Sequence, residues 1–339
     1  MEREEKKETM ALITAVHRER YEIMIQDEMQ ENTYARLKNS IYYQDKAQMP
    51  FPTVGDYVRI VPNETGDALI AGTLPRETVF YRENPTLGME KQAVAANFDY
   101  VFITMSMNHD FNQNRLDRYL TVAWESGAMP VIVLTKADLC DEAEYYVSLA
   151  RTQAPGVDVC TVSSVTGEGM DGVRKYLAPG KAAVILGSSG VGKFTFVNAL
   201  CGENIMDTGE IREDDSKGRR TTTYRQMIFL PGGARIIDTP GMRVLGVTEA
   251  QEGADIAFSD IESLAEQCRF RNCTHQNEAG CAIQNAIMNG TLSAKRFENY
   301  RKIMAEAAHA KRREEIAKRK QLRSVQRKKK PVRQKRFDY

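Results

Sequence analysis

The chain has 339 residues, 42% apolar and 27% charged, with six cysteines. This is the make-up of a water-soluble globular protein with room for two or three domains, not of a disulfide scaffold. No apolar run approaches the ~18–20 residues that span a bilayer, and no apolar h-region follows Met1-Glu2-Arg3-Glu4-Glu5-Lys6-Lys7 to make a signal peptide, so a cytoplasmic chain without membrane contact is expected. The net charge is +1, but residues 301–339 hold 16 Lys/Arg against 4 Asp/Glu, a local +12 that leaves −11 on residues 1–300. An acidic body with a basic tail points to a polyanionic partner; a solvated helix end is the alternative reading of the tail.

In chain order, residues 10–90 read as short strands: Met10–His17, Tyr21–Asp27, Thr33–Leu37, Val54–Val61 and Leu69–Leu74. They are β-branched, aromatic or alternating in pattern. Five short strands suit a small barrel, either an OB-fold, which binds nucleic acid on its strand face, or an SH3-like barrel. Residues 97–250 alternate strand and helix. Tyr100–Met105, Val131–Leu134, Val157–Val162 and Ala182–Leu186 are apolar strands, and a helix is predicted from about Asn114 to Ser126. Continuous apolar strands between helices predict a mostly parallel sheet covered on both faces, with ligands at the carboxyl ends of its strands. Residues 251–310 look helical apart from a polar Cys/His loop at 268–281, and residues 311–339 are too charged to form a core.

The strand-to-helix turn Gly187-Ser188-Ser189-Gly190-Val191-Gly192-Lys193 is a Walker A loop. Its backbone N–H groups wrap phosphates, its glycines allow close approach or positive φ, and Lys193 should reach the β- and γ-phosphates. The next position should be Ser or Thr, whose hydroxyl binds Mg²⁺; here it is Phe194. Thr195 cannot replace it, since one helical step rotates a side chain by ~100°. Magnesium must then rely on the phosphates, water, Asp238 and a threonine of Thr221-Thr222-Thr223. Within Asp238-Thr239-Pro240-Gly241, Asp238 should hold the metal through water and the Gly241 N–H should touch the γ-phosphate. Met242 stands where many GTPases carry a water-orienting glutamine, so slow intrinsic hydrolysis is expected.

Thr135-Lys136-Ala137-Asp138 matches the guanine-reading (N/T)KxD element. Asp138 should accept two hydrogen bonds from the guanine edge while Lys136 lies along the base. Thr135 replaces the commoner Asn, and some hydrogen bonding between loops is expected to be lost. Ser163-Ser164 with Gly167-Glu168-Gly169 completes the nucleotide set. In an ordinary GTPase the guanine-reading element comes last; here it precedes the Walker loop, so the order is rotated. Downstream, Cys268, Cys273, His275 and Cys281 offer three thiolates and an imidazole, the ligand set of a closed structural zinc site. Their polar surroundings argue against free core cysteines. Cys140, Cys160 and Cys201 read as packing residues.

With these motifs in hand, residues of about 10 to 310 resemble the ribosome small-subunit-dependent GTPases of the RsgA (YjeQ) type. The resemblance rests on the permuted order, on residues 187–193, on Gly218-Arg219-Arg220-Thr221-Thr222-Thr223, on residues 238–241, on the Cys/His spacing and on Leu116-Asp117-Arg118-Tyr119-Leu120. It implies an all-β OB-fold barrel (residues 1–90), an α/β circularly permuted P-loop GTPase domain (91–250), a mainly helical zinc-binding domain (251–310) and a basic tail (311–339). It further implies a cytoplasmic, monomeric factor in late maturation of the small ribosomal subunit. Such a factor binds the subunit's rRNA, takes GTP/GDP with Mg and one structural Zn, and hydrolyses GTP faster on the subunit. Two residues depart from the family: Phe194 replaces Ser, and Arg220 replaces a His in the switch segment. The rival expectation is a GTP-sensing rRNA-binding module with little hydrolysis, favoured by Phe194 and Met242. Turnover with and without small subunits separates the two.

Overall fold

A computed structural model describes residues 8–17, 20–25, 28–38, 51–63, 66–82, 92–108, 110–206, 225–238 and 251–328. Five N-terminal strands form a closed barrel: β1 (Thr9–Val16), β2 (Tyr21–Ile25), β3 (Glu28–Leu37), β4 (Tyr57–Val61) and β5 (Ala68–Thr73). Around the barrel β1 pairs with β2, β2 with β3, β3 in parallel with β5, β5 with β4, and β4 back with β1. Period-two alternation sends Ala11, Ile13, Ile23, Ala35, Leu37, Val58, Ile60 and Ile70 inward to one apolar cluster. The fourth strand begins three residues later than its sequence pattern suggests. Thr53–Asp56 make a hydrogen-bonded turn instead, with Asp56 N donating to Thr53 O at 3.1 Å and Gly55 at φ +88°. The buried Asp56 carboxylate accepts from Thr53 N at 2.7 Å and from Arg76 at 2.7 and 2.8 Å.

A hairpin of β6 (Val79–Arg82) and β7 (Gln92–Ala96) leads out of the barrel. It was not legible in advance, because an alanine-rich second strand carries little β signal. The remaining strands are β8 (Tyr100–Ser106), β9 (Met129–Thr135), β10 (Asp158–Thr161), β11 (Ala182–Gly187), β12 (Arg225–Phe229) and β13 (Arg235–Asp238). Their order is β10-β9-β8-β11-β13-β12. All pair in parallel except β12, which runs antiparallel to β13. β12 then pairs with barrel strand β1 through Ala15↔Gln226 and Val16↔Arg225, so barrel and parallel sheet share one run of main-chain pairing.

Helices cover both faces of the sheet. α1 (Gln113–Glu125) and α2 (Ala143–Gln153) lie on one side, where Leu116, Leu120, Val147 and Ala150 meet Val101, Ile103, Ile132 and Leu134. α3 (Met170–Arg174) and α4 (Lys193–Cys201) lie on the other, where Met170, Val173, Phe196 and Val197 meet Phe102, Val131 and Val133. Each central strand thus serves two cores, which explains its unbroken apolar sequence. Helix α1 starts where the Asn112 side chain accepts from Arg115 N at 3.1 Å, an N-cap, and ends one residue before Ser126.

The C-terminal segment is helical: α5 (Gln251–Ala257), α6 (Ser259–Ala265), α7 (Ala282–Met288) and α8 (Ala294–Lys328). Ala254, Phe258, Ile261, Ile283, Phe297 and Ile303 belong to the same cluster as Leu116 and Leu120 of α1. Helix α8 has 35 residues, a rod of ~50 Å. Ala307 and Ala310 are buried, whereas the described side chains from Lys311 to Arg319 are exposed. The charged stretch forms no core, as its composition requires, yet stays helical to Lys328; residues 329–339 lie outside the described residues.

Candidate nucleotide site and metal centre

Because β8, β9, β10, β11 and β13 run in parallel, their carboxyl ends form one edge, and the nucleotide-motif residues gather there. Gly187 ends β11, and the Walker loop then turns into α4 with Gly190 and Gly192 at φ +84° and +89°. Gly187 is required sterically: a Cβ there would lie 2.1 Å from Thr104 Oγ1 and 2.8 Å from Thr104 O. Ser188 donates its Oγ–H to the Asp110 carboxylate at 3.1 Å, and Ser189 is exposed. The Lys193 ammonium lies over its own loop, donating to Gly187 O at 2.7 Å and Ser188 O at 2.5 Å, which places its charge within the Walker loop.

The Thr135–Asp138 element is bonded to both neighbours. Thr135, 2% exposed at the end of β9, donates its hydroxyl to Val191 O of the Walker loop at 2.7 Å. The threonine therefore makes a hydrogen bond between the two loops. Lys136 is left-handed at φ +64°, which lets Ala137 N reach Val162 O at 3.1 Å. Asp138 follows, exposed, on the single turn Ala137–Leu139. Beyond β10, Ser163 N donates to Glu168 O at 2.9 Å and Gly167 N to Ser163 O at 2.9 Å, while Ser163 Oγ accepts from Thr166 N at 3.1 Å. This closes a compact loop with Ser164 half-buried on it. Gly169 at its exit is at φ +70°, and a Cβ there would lie 1.9 Å from Thr161 O.

Phe194 sits in the first turn of α4, half-buried, its ring packed against the core that contains Phe102 and Phe196. Thr195 is half-buried beside it. Asp238 ends β13 opposite Gln226. Arg220, Thr221, Thr222, Thr223, Gly241 and Met242 lie outside the described residues.

Comparison with known proteins accounts for this arrangement. The RsgA GTPase family model matches residues 73–248. A Listeria monocytogenes protein named small ribosomal subunit biogenesis GTPase RsgA 1 is 46% identical over 297 residues, covering 88% of this chain and 83% of the relative.

The chain belongs to the RsgA GTPase family.

A Vibrio parahaemolyticus RsgA 2 is 45% identical over 260 residues, 77% of this chain and 72% of the relative. The crystal structure of YjeQ from Thermotoga maritima superposes with a TM-score of 0.65 at 25% identity, covering 88% of this chain and 98% of that one. YloQ, described as a circularly permuted GTPase, shares the fold with a TM-score of 0.62 at 22% identity, over 91% and 98% of the two chains. The ABC transporter model also matches, over residues 170–334; that span contains the Walker loop, a phosphate-binding element common to many nucleotide-binding proteins. Like its RsgA relatives the chain is a GTPase, and the rotated motif order is the circular permutation of that fold.

Sequence reading missed the partners of the family's Leu116–Leu120 motif. Asp117 is 1% exposed. It accepts from Arg296 at 2.9 Å, Gln153 at 2.7 Å and Asn299 at 2.6 Å. Arg296 also donates to Asp260 at 2.8 Å and lies over the Phe258 ring, 5.0 Å from its centroid. Burial pushes the Asp117 carboxyl up to about 6, against the opposing pull of Arg296, Asn299 and Gln153. Arg118 forms a two-pronged pair with Glu306 at 2.9 and 2.7 Å. One helix of the GTPase fold thus holds α8 through two adjacent residues. The available signal was a carboxylate flanked by Leu116 and Leu120 on an apolar helix face, which demands a buried partner.

Cys268, Cys273, His275 and Cys281 converge as a group that could hold a metal ion, with all four ligand atoms within 4.8 Å of one another. Cys268 Sγ lies 3.5 Å from His275 Nδ1, Cys281 Sγ 3.6 Å from it, and the two sulfurs are 3.9 Å apart. Donors around a tetrahedral metal bound by sulfur and nitrogen stand ~3.5–3.8 Å apart, close to the spacing of Cys268, His275 and Cys281, while Cys273 completes a group no wider than 4.8 Å. His275 is left-handed at φ +58°, which turns its Nδ1 inward. Glu278 clamps the intervening turn, accepting from Thr274 N at 2.8 Å, Gln276 N at 3.0 Å and Asn277 N at 3.1 Å. The other cysteines are free: Cys160 and Cys201 are buried and Cys140 is half-buried.

Proposed function

We propose that this GTPase acts in biogenesis of the small ribosomal subunit, binding its rRNA and coupling nucleotide state to attachment and release. The observation that carries the nucleotide half is the Thr135–Val191 hydrogen bond of 2.7 Å, which joins the guanine-reading element to the Walker loop on one sheet edge. Ser163, Ser164 and the turn at Asp138 frame the base. Residues 187–193 cradle the phosphates, and Phe194 and Thr195 lead into the helix behind them. Mg²⁺ would bind at Asp238 and a switch threonine, with Arg220 and Gly241 on the γ-phosphate side. The ribosomal half is supported by the printed names of relatives at 45–46% identity.

The barrel's closing order, β1-β2-β3-β5-β4-β1, is read as an OB-fold, suited to RNA. Residues 1–90, 91–250, 251–310 and 311–339 are taken as barrel, GTPase domain, zinc domain and basic tail. The chemistry of the donor set selects zinc for the Cys/His group, closed by four protein ligands and hence structural. The basic end of α8 supplies a salt-sensitive attraction to phosphates. Such a protein works as a monomer where small subunits are made, in the cytoplasm. Two measurements test this reading: GTP turnover across a magnesium titration with and without purified small subunits, and elemental analysis, with about one zinc per chain expected. Turnover that ignores the subunits would overturn the ribosomal assignment.

A further inference from the structure

We propose that the Cys/His knuckle presents Phe270, between Arg269 and Arg271, as a stacking platform for one unpaired RNA base. The proposal rests on the rRNA-binding reading above and names a point of contact within it. Phe270 lies between Cys268 and Cys273 in the metal-ligand loop, is 46% exposed and joins none of the three buried apolar clusters. Core packing therefore does not account for it. The loop that carries it is tied down on both sides: Arg269 N donates to Gly280 O at 3.1 Å and Cys273 N to Phe270 O at 3.2 Å. The Arg269 guanidinium sits 5.4 Å from the Phe270 ring centroid, and Arg271 and Asn272 are exposed next to it.

A preformed loop has little conformational entropy left to lose on binding, and a phenyl ring has only two side-chain torsions to order. Proteins that bind single strands combine such rings, on which bases stack, with arginines that meet phosphates. One isolated ring bracketed by two arginines fits one base and its phosphates by charge and by size. An apolar protein interface needs a contiguous patch instead. The arginines are also conspicuous on a body whose first 300 residues carry −11.

The chain has a single tryptophan, Trp124, so Trp124→Phe combined with Phe270→Trp places one fluorophore at the platform. Its emission should be quenched by a single-stranded RNA dodecamer of mixed sequence, and not by the matching duplex or by a polyglutamate peptide. Phe270→Ala, with metal content equal to the parent, should weaken dodecamer binding by about tenfold or more at every salt concentration. Arg271→Ala should instead lower the slope of log affinity against log salt by about 0.7. Quenching by polyglutamate in place of RNA, unchanged emission with the dodecamer, or Phe270→Ala binding like the parent would each overturn the platform. Loss of subunit-stimulated turnover in the parent would instead strike the ribosomal reading, since the dodecamer arm does not depend on it.

Discussion

On the proposed reading, Asp138 is the residue that selects the base. Its carboxylate would accept from both guanine donors, whereas a carboxamide would face one donor with its own N–H, and an unpaired donor costs ~1–3 kcal/mol. Asp138→Asn should weaken GTP and relatively favour xanthosine nucleotides in a competition titration; equal GTP affinity in the two proteins would sink the assignment. The same reading puts Phe194 near the phosphate end of the nucleotide. Its ring packs into the core beneath α4 and would offer no oxygen to a magnesium ion, whose role in phosphoryl transfer is to neutralise developing charge. Loss of a ligand there harms catalysis more than binding. Phe194→Ser should raise subunit-stimulated single-turnover hydrolysis by at least about tenfold, about 1.4 kcal/mol of barrier, and lower the magnesium midpoint. Identical rates and midpoints would show that the phenyl ring is harmless.

Helices α1 and α5 touch backbone to backbone. A Cβ on Gly253 would lie 2.1 Å from Thr121 O and 2.7 Å from Glu125 N, and Gly253 N donates to the Glu125 carboxylate at 2.9 Å. The glycine is needed for this approach, not for its torsions. Gly253→Ala must push α5 away from α1, an overpacking defect that costs ~1–3 kcal/mol. The melting temperature should fall while GDP affinity is kept, because the displaced surface lies away from the nucleotide edge. An unchanged melting temperature would mean that the two helices slide apart without penalty.

Across the whole molecule, barrel, parallel sheet and C-terminal helices are joined by structure that no single segment announces: the β1–β12 pairing, the shared apolar cluster and the buried Asp117–Arg296 pair. That pair has a measurable pH signature. The Asp117 carboxyl is raised from 3.8 to about 6 by burial, with Arg296, Asp260, Asn299 and Gln153 facing it. The folded state therefore holds this proton more tightly than the unfolded state, and unfolding free energy gains from it as pH falls from about 6 to 4. A shift of about two units corresponds to roughly 2–3 kcal/mol. The stability of the parent relative to Asp117→Asn should rise by that order over this window in denaturant titrations. Parallel curves would show that Arg296 keeps the carboxylate ionised throughout.

Much of this protein is legible in its residues because the relevant signals are local. Walker-loop glycines, the Thr135–Asp138 element, period-two barrel strands and Cys/His spacing each arise from backbone torsion or ligand chemistry within a few residues. Their rotated order alone predicts a permuted GTPase. What tertiary structure decided depends on contacts between distant segments: that Thr135 reaches Val191, that β12 extends the sheet into the barrel, and that Arg118 meets Glu306 from 188 residues away. The β6–β7 hairpin and the Asp117 network stayed hidden for the same physical reason. A strand poor in β-branched residues is stabilised by its partner, and a buried charge by donors from two other helices, so neither leaves a local pattern to read.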